Sequence, residues 1–135
     1  MQLKTAIALI ISVGSTPVFA ESKSEVLSCS AHFEARAIWG DIVGADHGYV
    51  TGMERRSKLL FDAYEAANPI TPSQDWGMVL LGSPPPPAHE VTHARIVEDT
   101  MIYFADFAPM TGQAPLCVED PICQVCSDVL RSVMP

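Results

Sequence analysis

The chain has 135 residues, of which 16 are acidic and eight basic, for a formal charge of −8. Such a field repels phosphate backbones and anionic headgroups, so it argues against nucleic acid and membrane surfaces as partners and favours a cationic protein or peptide. The length suits one domain.

Residues 1–20 combine a single basic residue (Lys4), an apolar run from Ala6 to Val13, the breakers Gly14 and Pro17, and the ending Val18-Phe19-Ala20. This is the layout of a cleavable secretory signal, and no later stretch approaches the ~20 apolar residues of a spanning helix. No cysteine follows the expected cut, so a lipid anchor lacks its attachment residue. The expected product is a periplasmic or secreted domain over residues 21–135. It loses only Lys4 among its charges and carries seven basic residues against 16 acidic ones.

Ser22 and Glu25 form a capping-box pattern, after which Val26, Cys29, Phe33, Ala37 and Gly40 recur at helical spacing, predicting a helix over residues 24–43. A turn follows at Gly44-Ala45-Asp46-His47-Gly48. Thr51 and Glu54 repeat the capping pattern and open a second helix. Its inward face is Met53, Leu60, Ala63, Tyr64 and Ala67, its outward face Glu54, Arg55, Lys58, Asp62 and Glu65, and Asn68-Pro69 ends it. Thr71-Pro72-Ser73-Gln74 starts a short buried helix over residues 76–81, which Gly82 stops. The proline run 84–87 reads as a rigid spacer. It leads into a long helix over residues 88–107 with Val91, Ala94, Val97, Met101, Phe104, Ala105 and Ala108 on one face, closed by Pro109. Asp120 and Pro121 start the last helix, with an inner stripe of Ile122, Cys126, Val129, Leu130 and Val133. No stretch alternates with period two. The expected fold is all-α, an irregular disulfide-stapled bundle of four main helices plus one short helix.

Four cysteines in an exported chain point to two disulfides. Cys29 and Cys126 both fall on apolar stripes, whereas Cys123 lies on the flank nearer Cys117. That favours Cys29–Cys126 with Cys117–Cys123, and Cys29–Cys123 is the alternative. Two functional readings compete. Cys123-Gln-Val-Cys126 has the C-x-x-C spacing of redox proteins, but without the βαβ setting they show. Cys29, His32, Cys123 and Cys126 are together the donor types of a Cys3His zinc site. The ending CQVCSDVLR also resembles, over some nine residues, the haem-attachment helix of cytochrome c-prime proteins, which are exported four-helix bundles. It departs where Ser127 stands in place of the ligating histidine, so the resemblance implies architecture and not a haem.

His89-Glu90-Val91-Thr92-His93 matches H-E-x-x-H. Two histidines four apart on one helical face can hold zinc, and the adjacent glutamate serves as general base on the metal-bound water. A third ligand is needed. Glu98 and Asp99 lie further along the same helix and are carried away from the metal, which leaves Asp62, Glu65, His32 or His47. His32 and His47 otherwise read as solvated or capping residues, and Trp39 and Trp76 as core. No nucleophile elbow or phosphate-binding glycine loop appears. The sequence therefore reads first as a non-enzymatic binding or structural protein with no cofactor. The alternative is a minimal zinc-dependent hydrolase with His89 and His93 as ligands and Glu90 as base.

Overall fold

A computed structural model describes residues 15–69, 82, 86–111 and 116–134, with side chains described from residue 24 and not at 108–111. The described residues form four helices and no strand: α1 (Ser15–Ile42), α2 (His47–Ala67), α3 (Ala88–Thr111) and α4 (Pro121–Val133), with a 3-10 turn (Cys117–Glu119) leading into α4. None is long and apolar enough to cross a membrane. The short helix expected over residues 76–81, with Trp76, lies outside the described residues.

The central element is α1, against which α2, α3 and α4 all pack. From Cys29 to Ala37 every side chain except Glu34 is buried. An apolar stripe alone does not bury a helix on all sides, so α1 carries Ser30, His32 and Arg36 inward as well. Each must find a partner, because a buried polar group without one is costly. The apolar core forms around Cys29, Phe33 and Ala37 of α1, Val50, Met53 and Leu60 of α2, and Cys123 and Cys126 of α4. Gly40 lets α2 come close: a Cβ there would stand 3.2 Å from the Tyr49 ring and 3.3 Å from Val50.

The element boundaries correct the sequence reading in three places. First, α1 runs through the Ser22/Glu25 pair and past the expected cut after Ala20. Amides inside a continuing helix bond to the preceding turn and need no cap. Second, α2 begins one turn earlier than the Thr51/Glu54 box, because Gly44 takes φ +75° and Asp46 caps the helix by accepting from Gly48 N at 2.9 Å. Thr51 instead donates its hydroxyl to the His47 carbonyl. Third, α3 continues two residues past Pro109. Proline's φ is helical, and near a helix end it sacrifices little beyond its own amide bond.

Two faces are also rotated. On α3, Val91 is 43% exposed and Ala94 and Ala105 are exposed, while His93 and Phe104 are buried and His89, Ile96, Val97 and Thr100 are half-buried. On α4, Ile122 is 56% exposed and Cys123 is fully buried. The reason on α4 is covalent. Cys126 bonds Cys29 and Cys123 bonds Cys117, each with Cα atoms 5.1 Å apart, so both cysteines must face α1 and the turn before α4. No cysteine is free. That removes the thiol pair of the redox reading and three ligands of the Cys3His site.

The helix α4 is also tied to α1 by charge. Asp120 is its N-cap, with Oδ1 accepting from Ile122 N at 3.0 Å, while Oδ2 accepts from Arg36 Nη2 at 2.6 Å. Both side chains are about 1% exposed. The Arg36 guanidinium also lies 5.2 Å from the Phe104 ring centre and donates from Nε to His32 Nε2 at 3.0 Å.

His32 is therefore a core residue and not the solvated one expected. Because Nε2 accepts from Arg36, the ring is neutral with its proton on Nδ1. Desolvation first, and then the neighbouring Arg36 charge, lower its pKa to about 4, against a weaker upward pull from Asp120. Below pH 6.5 the unfolded chain gains a proton that the native state refuses until about pH 4. The contribution of His32 is thus fully present above pH 6.5 and is lost as pH falls toward 4. At pH 5 the loss amounts to about 2 kcal/mol. Urea midpoints between pH 7 and pH 5 should show this drop, and His32→Gln, which keeps an acceptor for Arg36 but does not titrate, should flatten it.

Candidate functional site

Although α2 and α3 both pack on α1, their backbones do not pack on each other. The space between them is a groove of about 510 Å³. Its α2 wall consists of Glu54, Ser57, Lys58, Phe61, Asp62 and Glu65, spaced three and four apart and so on one helical face. Glu34 of α1 and Glu90 and His93 of α3 complete it. Among the described residues, five carboxylates thus face a single cation, Lys58. That lysine is already paired with Asp62 at 2.7 Å, and the bond raises its pKa.

A second hollow of about 340 Å³ runs along the α1–α2 seam and shares Glu34 and Glu54 with the groove. It adds Asp41, His47 and the exposed Ile38 and Ile42. The two form one acidic track with an apolar edge. From Val50 to Glu65 it spans about 22 Å of α2 at 1.5 Å per residue.

The two histidines of the H-E-x-x-H pattern take different partners. His93 is buried, its ring centre 4.9 Å from that of Phe61 in a T-shaped arrangement. Ser30 Oγ donates to the Ser57 carbonyl at 2.8 Å, which leaves its lone pairs to accept from His93 Nε2 at 3.1 Å. His93 Nδ1 stands 3.3 Å from Glu34 Oε2. Desolvation lowers the His93 pKa, Glu34 opposes that, and His89 adds to it. His89 points Nε2 at Glu65 Oε2, 2.9 Å away, with its ring against Phe61 at 5.5 Å and Tyr64 at 5.6 Å. Glu90 is exposed at the mouth of the groove.

Of the third ligands considered from sequence, Glu65 reaches His89. Asp62 is held by Lys58, His32 is buried beside Arg36, His47 sits at the exposed start of α2, and Glu98 and Asp99 are exposed further along α3. Among the described residues, one cluster brings three metal-ligating side chains together: Glu65, His89 and Glu90, whose donor atoms lie within 4.8 Å of one another.

Sequence reasoning missed Ser30 and Glu34. Their signal was a polar i, i+4 pair on α1 flanking the Cys29–Phe33 stripe, and it gained meaning only when α3 laid His93 against both.

No protein-family model matches this chain, and neither a curated protein nor a solved structure matches it.

Proposed function

We propose that this is an exported binding protein whose acidic track receives a basic segment of another protein or peptide. The observation that carries the reading is the continuity of the track. Asp41, Glu34, Glu54, Asp62, Glu65 and Glu90 line two joined hollows with one already paired lysine among them. A length of about 22 Å matches six or seven extended residues at ~3.3 Å each, more than a small ion requires. Exposed Ile38 and Ile42 at one end offer apolar contact beside the charges. Export is supported by the signal-like residues 1–20 and by two disulfides, the bonds of an oxidising compartment.

Binding is favoured over hydrolysis by what the histidines already do. A zinc peptidase of the H-E-x-x-H type needs both imidazoles on one ion. Here His93 Nε2 is bonded to Ser30 and Nδ1 faces Glu34, while His89 is engaged by Glu65 on the other helix. Recruiting His93 Nε2 to a shared zinc would break a buried chain that joins all three groove-forming helices.

A fluorescent heptapeptide alternating lysine with leucine is expected to bind, with affinity falling as salt rises from about 0.05 to 0.5 M because exposed charges are screened. A glutamate-for-lysine control should not bind. Glu54→Lys, at the junction of the two hollows and exposed, should weaken binding by about tenfold or more, equivalent to ~1.4 kcal/mol, with the melting temperature unchanged. Equal binding by wild type and Glu54→Lys would remove the track as the site.

A further inference from the structure

We infer that Glu65, His89 and Glu90 form a binding site for a divalent first-row metal such as zinc, at the α2–α3 end of the acidic groove. The site shares two carboxylates with the basic-segment reading but does not depend on a peptide being bound. It also differs from the pattern expected of H-E-x-x-H: Glu90 is a ligand and not a general base, the second helix supplies Glu65, and His93 takes no part.

The geometry begins with the 2.9 Å contact between His89 Nε2 and Glu65 Oε2. Zinc binds imidazole nitrogen and carboxylate oxygen at about 2.0–2.1 Å, and tetrahedral angles then set the two donors about 3.3 Å apart. Replacing the shared proton by zinc thus requires the pair to open by only about 0.4 Å. The ring proton resides on Nδ1 in that state, as in any neutral imidazole ligand. The His89 ring is already placed by Phe61 and Tyr64, so its orientation does not have to be found on binding. The Glu90 oxygen, within 4.8 Å of both other donors, closes by rotation of an exposed side chain. A nitrogen and two carboxylate oxygens suit zinc or manganese, and the open groove leaves room for water as a further ligand.

A simple ion pair explains less. Glu65 with His89 alone is a common contact, and Glu90 alone is favoured in the first turn of α3 by the helix dipole. Neither accounts for a second carboxylate standing within 4.8 Å of the first, in a groove whose one lysine among the described residues is paired with Asp62. A divalent cation neutralises both.

The test uses untagged full-length protein stripped with EDTA, titrated with zinc chloride by calorimetry and with cobalt(II) by visible absorption. One equivalent should bind, and the cobalt bands should report nitrogen and oxygen ligands without sulfur. Glu90→Gln, an exposed change that leaves the fold intact by circular dichroism, should weaken zinc at least tenfold. His89→Ala should abolish binding. His93→Gln, which keeps a donor for Ser30, should stay within about twofold of wild type. A folded wild type that takes up no zinc, or an unchanged affinity in Glu90→Gln, overturns the site. So does a loss in His93→Gln as complete as in His89→Ala, which would assign the metal to the histidine pair. Peptide binding measured in EDTA keeps the two readings apart. If zinc fails while the peptide still binds, only the metal site falls; if the peptide fails while zinc binds, only the basic-segment reading does.

Discussion

Asp120→Ala will destabilise the protein by about 3–5 kcal/mol, the usual cost of deleting one member of a buried ion pair. Arg36 is held at about 1% exposure between α1 and α4, 2.6 Å from the Asp120 carboxylate. Removing that carboxylate takes from the buried guanidinium its 2.6 Å contact and strips α4 of its N-cap, because Oδ1 is the acceptor for Ile122 N. Asp120→Asn separates the two roles. It keeps a cap acceptor but no charge, so it should recover only the smaller share, about 1 kcal/mol of capping. Arg36→Lys, with Asp120 intact, should also be destabilising, since a lysine lacks the planar fork that reaches Asp120 and His32 together. Urea unfolding followed by far-ultraviolet circular dichroism measures all three. A loss below about 1 kcal/mol in Asp120→Ala would show that the pair is not a structural element.

The arginine–aspartate pair marks a limit of sequence reading. That Asp120-Pro121 starts α4 was legible, because an acidic cap followed by proline is local chemistry. That the other oxygen of the same carboxylate neutralises a residue 84 positions earlier was not. Nothing in the local sequence singles out Arg36, because the apolar stripe through Cys29, Phe33 and Ala37 implies a helix with one wet face. Instead, α1 is surrounded by three helices. Local spacing identifies which residues share a face, but only the number of neighbours determines how many faces are dry.

The same distinction explains the candidate site. Glu54, Lys58 and Asp62 were readable as part of the outward charged face of α2 from their spacing alone. The two histidines of α3 were readable as sharing a face, but the apolar residues Val91 and Ala94 suggested that the opposite face turned inward. Satisfied imidazoles reversed that preference in the first turns of α3, while Val97, Met101 and Phe104 of the expected face stay inward. His93 meets Ser30 and Glu34 of α1, His89 meets Glu65 of α2, and Val91 is left partly exposed. Small apolar side chains lose little by facing water singly, whereas two histidines with partners on two other helices fix the rotation of α3.

Removing the Cys29–Cys126 bond should bring the protein close to unfolding at 37 °C. The bond spans 97 positions and joins the buried faces of α1 and α4, beside Phe33 and Met53 in the core. Closing a loop of that size in the unfolded chain corresponds to ~4–5 kcal/mol in the simple entropy model, and losing such a bond from a small exported domain typically costs about 2–5. That is a large fraction of the ~5–15 kcal/mol total expected of a domain. The bond between Cys117 and Cys123 closes only six positions, for which the same model gives ~2 kcal/mol. Its sulfurs also anchor only the turn before α4, with Cys117 half-buried. The double change Cys29→Ser with Cys126→Ser, which leaves no unpaired thiol, should therefore lower the urea midpoint far more than Cys117→Ser with Cys123→Ser. Peptide mapping without reductant checks the premise. Recovery of Cys123 joined to Cys126, or equal losses in the two double variants, would mean that α1 and α4 are held by the Arg36–Asp120 pair and core packing without a covalent clip.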